Sequence, residues 1–122
     1  MPDRRTVAAV FAGGAVGTLA RALLSTAFPI TPPHWPWPTF AVNVVGAFLL
    51  GWIVTRLPRD GYGRSLLGTG LCGGLTTFST MQVEILAMLA DRRTGLALGY
   101  AAASVAAGYV AVRGAAALAR RW

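Results

Sequence analysis

No lysine occurs in this 122-residue sequence, and only four carboxylates, Asp3, Asp60, Glu84 and Asp91, stand against eleven arginines. Charged residues make up 12% of the chain, about half the share of an ordinary soluble domain. A single cysteine, Cys72, excludes an intrachain disulfide and a multi-cysteine metal site. The lone histidine, His34, stands far from it in a proline-rich stretch, and no nucleophile–base pair or metal cluster suggests an enzyme. No phosphate-binding P-loop is present, which removes that route to a nucleotide-driven pump. Acidic balance and nucleic-acid binding are also disfavoured, because the arginines sit in small groups between apolar runs and form no single patch.

What the chain has in quantity is apolar surface. Hydrophobic residues make up 55%, and the mean hydropathy is +0.57. A domain this small has too little interior to hide so much of it, whereas a bilayer does the burying. Four runs can be drawn: about 7–28, 39–57, 62–90 and 94–118. Each is long enough for a membrane helix, none alternates as a barrel strand would, and only short turns remain between them. The reading is an all-α membrane protein, one domain of four transmembrane helices over residues 1–122. The linker from Pro29 to Pro38 holds five prolines, so no helix continues through it, and Trp35 and Trp37 suit a membrane interface. The basic residues before the first run are read as its flank, not as a removed signal segment.

With four spans, Arg4, Arg5, Arg56, Arg59, Arg64, Arg113, Arg120 and Arg121 share one side, and only Arg92 and Arg93 face the other. Eight against two predicts both termini in the cytoplasm of a cell-membrane protein. Small residues recur four apart at Gly13/Gly17, Ala47/Gly51, Gly70/Gly74 and Ser104/Gly108. They point to close helix contacts in a bundle or dimer.

Polar groups inside the spans are costly and mark function or helix–helix bonding. Arg21 lies two-thirds along the first span, where it either snorkels to the interface or draws anions into a vestibule. Asn43 is the only amide of the second span and either bonds another helix or lines a polar path. Glu84 is the only carboxylate inside a span. In Gly70-Leu-Cys-Gly-Gly-Leu-Thr-Thr-Phe-Ser-Thr-Met81, two glycines and two threonines weaken the third helix at its centre, predicting a break at 73–77. Carbonyls freed there must be satisfied by protein, water or an ion.

Gly73-Gly-Leu-Thr-Thr-Phe-Ser-Thr80 resembles the signature of the Fluc/CrcB fluoride channels. Gly14-Ala-Val-Gly-Thr-Leu-Ala-Arg21 and Thr39-Phe-Ala-Val-Asn-Val-Val-Gly-Ala-Phe48 are similar to that family's first- and second-helix motifs. Size, number of spans and order of motifs agree over essentially the whole chain. The resemblance implies an antiparallel, dual-topology-type dimer that lets fluoride leave the cytoplasm passively and so lowers its toxicity. It implies a structural, untransported Na⁺ held at the dimer interface by backbone carbonyls of Gly73 and Thr76. It implies a fluoride path along Asn43, Phe78, Ser79, Thr80, Tyr100 and Ser104, with Arg21 and Glu84 at the vestibule. Gly108 stands where a further hydroxyl is expected.

Met81 departs from the pattern: it occupies the position of the family's second pore phenylalanine, and a thioether offers no comparable electropositive ring edge. Together with the one-sided arginines, this raises a homodimer-or-heterodimer question, the second option pairing the chain with an oppositely oriented relative. Two other functions compete. A small four-helix multidrug-type exporter needs an intramembrane carboxylate, generally in its first helix, where this chain has Arg21 and no acid. A non-conducting assembly subunit is the second, and anion flux separates it from a channel.

Overall fold

The computed structural model describes residues 1–29 and 34–122. Residues 30–33, the middle of the proline linker, lie outside the described residues. Among those described there are helices and no strand. Helix α1 (Arg4–Ala27) and helix α2 (Trp37–Arg56) are followed by a third segment built in pieces. Those pieces are α3 (Tyr62–Arg64), a π-helical stretch Ser65–Cys72, α4 (Gly73–Leu75) and α5 (Phe78–Ala90). Helix α6 (Thr94–Arg121) closes the chain. Three of these, α1, α2 and α6, are long and apolar enough to cross a membrane. At ~1.5 Å per residue even the shortest reaches about 30 Å, the thickness of the hydrocarbon core.

Local chemistry explains the ends. Asp3 caps α1: one carboxylate oxygen accepts the Thr6 hydroxyl at 2.6 Å and the Thr6 amide at 2.8 Å. Its other oxygen accepts the Tyr62 hydroxyl at 2.8 Å, tying the N-terminus to the start of the third segment. These bonds, the Thr6 hydroxyl foremost, hold the Asp3 carboxyl below the usual aspartate value. Pro38 sits in the first turn of α2, where a missing N–H costs nothing. Leu57 is extended before Pro58, which ends the helix. Arg56 donates to the Ala119 carbonyl at 3.2 Å, so the end of α2 meets the end of α6. The N-terminus, the α2–α3 turn and the C-terminus therefore share one end of the bundle.

Helix α1 lies on the third segment backbone to backbone. A Cβ added at Gly17 would collide with Leu71 O, Leu75 N and Gly74 C, and one at Gly70 with Val10 O and atoms of Gly13 and Gly14. Two of the small-residue pairs predicted from sequence thus face each other across a single crossing. Gly51 meets Val112 of α6 in the same way, whereas a side chain at Gly108 would meet nothing.

The interruption of the third segment is narrower than 73–77. Gly73 and Gly74 remain helical, and only Thr76 (φ −77°, ψ 150°) and Thr77 (φ −144°, ψ 109°) are extended. Glycine weakens an isolated helix, but here the crossing with α1 requires glycine at position 74 and holds that turn in helical form, while Gly73 faces open space. The helix resumes because the Thr77 hydroxyl oxygen caps α5 by accepting the Thr80 amide at 3.1 Å.

A candidate ion pathway at the break

The break changes which backbone groups are bonded. Thr76 still donates its amide to Cys72 O at 3.0 Å, and its hydroxyl donates to the same carbonyl at 2.8 Å. Beyond the Thr76 amide the helical ladder is interrupted, and side chains from two other helices enter. Arg21 of α1 donates Nε–H to Gly74 O at 3.1 Å. Asn43 of α2 uses both ends of its amide: Oδ1 accepts the Thr77 N–H at 2.8 Å and Nδ2 donates to Thr77 O at 3.2 Å. Among the described residues no side chain and no loop amide donates to the carbonyls of Gly73, Leu75 or Thr76. Asn43, for which sequence left two roles open, is thus bonded to the break with one amide hydrogen to spare.

A cavity of about 590 Å³ opens beside this segment, lined in part by Asn43, Gly73, Thr76, Phe78, Met81 and Ser104. Phe78 projects a ring that is 70% exposed. Met81, by contrast, is buried with Met88, Ala97 and Tyr100 in the core between α5 and α6. The Ser104 hydroxyl is buried with no hydrogen-bond partner among the described residues, an arrangement native proteins seldom leave unexplained. Thr80 receives a hydrogen bond from the Thr77 hydroxyl at 2.9 Å, and Ser79 is exposed beside it.

Tyr100 and Glu84 do not line the cavity. Tyr100 is fully buried and donates its hydroxyl to Glu84 Oε2 at 2.7 Å; Thr39 of α2 donates to Glu84 Oε1 at 2.5 Å. The carboxyl thus joins α2, α5 and α6, and the Tyr100 hydrogen is already spent. Trp35 packs edge-on against Tyr100, ring centres 5.3 Å apart, and its buried indole nitrogen has no hydrogen-bond partner among the described residues. Thr39, Thr77 and Trp35 belong to this constellation and were not singled out as site residues from sequence. An N-capping threonine directly before Phe78 was the one signal available for Thr77. Among the described residues no group of three histidines, cysteines or carboxylates could hold a metal. Any cation at the break would have to use neutral oxygen, which suits a hard ion.

The family model described as CrcB-like protein, Camphor Resistance (CrcB), matches residues 8–116. The chain belongs to the Fluc/CrcB family. A protein of Mycolicibacterium paratuberculosis called fluoride-specific ion channel FluC 1 is 60% identical over 123 residues, covering 98% of this chain and 93% of the relative. The FluC 1 of Mycobacterium tuberculosis is 58% identical over the same coverage. A FluC from Caulobacter vibrioides is 45% identical over 79% of this chain and 80% of its own length. The CrcB-like match takes in most of α1, the break and most of α6, so the polar groups at the break lie within the family's common region. This is a family of multi-pass membrane channels, not of enzymes.

Proposed function

We propose that this chain conducts fluoride passively out of the cytoplasm, as one subunit of an antiparallel dimer with both of its own termini cytoplasmic. The observation that carries the reading is the buried Ser104 hydroxyl, unpartnered among the described residues, in one cavity with Asn43 and the Phe78 ring edge. Fluoride is small and tightly hydrated, so a pore must replace its water with donors. A free hydroxyl, the spare amide hydrogen of Asn43 and an electropositive ring edge supply them. Ser79, exposed beside the break, and the Thr80 hydroxyl extend the path. A potential negative inside drives the anion out, about 2.3 kcal/mol per charge for each 100 mV, with no coupling required.

The proposed structural Na⁺ would be held by Gly73 and Thr76 carbonyls from two subunits. The lack of a side-chain or loop-amide donor to them among the described residues, and the open space beside Gly73, support that donor set. When bound, the ion would tie the two breaks together. The eight-to-two arginine bias favours one orientation in the membrane, and Met81 removes one ring edge. Both favour a partner that is an oppositely oriented relative over a second copy.

The test is fluoride efflux from loaded liposomes. Asn43→Asp, which places a carboxylate among the donors, and Phe78→Ile should each slow efflux about tenfold or more. Rates equal to wild type in both variants would refute the path. The chain reconstituted alone should conduct poorly beside the same chain with its relative; robust efflux alone refutes the heterodimer.

A further inference from the structure

We propose that Arg21 is a positioning residue that builds the break from within one subunit, by holding Gly74 O away from the ion path. Gly13, Gly17 and Arg21 follow one another at four-residue intervals and share one face of α1. The first two seat the third segment so closely that added Cβ atoms would strike its backbone. The same stripe, one turn on, brings the Arg21 guanidinium to Gly74 O, 3.1 Å from Nε. In an unbroken helix that carbonyl would accept the Phe78 amide. Because Thr76 and Thr77 are extended, it would otherwise be orphaned in a medium that offers no water.

Arg21 and Asn43 act from opposite sides. One takes Gly74 O and the other takes both backbone groups of Thr77, so neither side chain occupies the carbonyls of Gly73 and Thr76. Every one of these bonds lies inside a single chain, so none of them needs a contact from a partner or an ion. Arg21 therefore acts through backbone geometry and not as a free charge that attracts anions. The consequence for conduction rests on the channel reading above; the structural role does not.

Two measurements on the full-length protein separate these outcomes. Fluoride efflux is compared for wild type, R21K and R21Q over a tenfold range of ionic strength set with an impermeant salt. Reactivity of Cys72, the one thiol and only 2% exposed, towards neutral N-ethylmaleimide reports on the break without any transport. Lysine keeps the charge but lacks the Nε–H that meets Gly74, so R21K and R21Q should both conduct about tenfold less at every ionic strength. Both should raise the Cys72 labelling rate severalfold. Wild-type efflux and labelling in R21K, with an R21Q deficit that fades as salt rises, would overturn the proposal in favour of anion attraction. If R21Q does not assemble, R21K decides alone by the same readings. Absence of fluoride efflux in wild type would sink the channel reading and leave the labelling comparison intact.

Discussion

The two halves of the third segment are held by opposite means. Before the break, Ser65–Leu75 presses its backbone against α1, and the contact works because Gly13, Gly17, Gly70 and Gly74 have nothing in the way. After the break, α5 is fixed by what its side chains bring: Met81 and Met88 in the core, and Glu84 bonded to Thr39 and Tyr100. A contact made of absent side chains tolerates no addition, because the atoms it would meet are backbone. A contact made of side chains can be repacked, and its polar members can be removed singly.

The largest effect is therefore expected at Gly17→Val. Its new atoms would meet Leu71, Gly74 and Leu75 backbone, which cannot rotate away. The variant should lose the folded, monodisperse species on size-exclusion chromatography. Met81→Leu, a volume-conserving exchange in the other half, should cost less than about 1.5 kcal/mol and elute as wild type does. Equal tolerance of both substitutions would show that the two halves are not held differently.

Within the side-chain half, Tyr100→Phe keeps the ring that packs on Trp35 and removes only the hydroxyl bonded to Glu84. Losing one of two donors to a carboxyl in this setting should cost about 1–3 kcal/mol. The thermal midpoint of purified protein should fall accordingly, while elution on size-exclusion chromatography stays the same. An unchanged midpoint would mean that Glu84 does not join α5 to α6.

Much of this was legible in sequence, and the failures share one cause. The spans could be read because continuous apolar runs are a local signal. The paired glycines could be read as close contacts, but not as each other's partners. Gly73 and Gly74 pointed to a break, since propensity concerns an isolated helix; both stay helical, Gly74 packed against α1, and the interruption falls at Thr76 and Thr77. Asn43 offered two roles, and only the fold brings Thr77 within reach of both ends of its amide. The bond from Arg21 to Gly74 spans 53 residues of sequence, and nothing in the residues near either partner announces it.

The smallest effect expected lies at the far end of the side-chain half, where α5 turns into α6. Arg92 has φ 59°, the one non-glycine residue with positive φ among the described residues. Its amide bonds Leu89 O at 3.0 Å, and the Arg93 amide bonds Met88 O at 2.8 Å. That pattern satisfies the last carbonyls of α5 and is usually completed by glycine. A side chain in this region is strained by ~1 kcal/mol or more, so Arg92→Gly should stabilise the protein by roughly 0.5–1 kcal/mol after glycine's own entropy cost. Arg92→Ala is the control: it loses the same charge and keeps the strained φ, so its thermal midpoint should not rise. A rise in both variants would assign the effect to removal of the Arg92 charge beside Arg93 and not to the backbone.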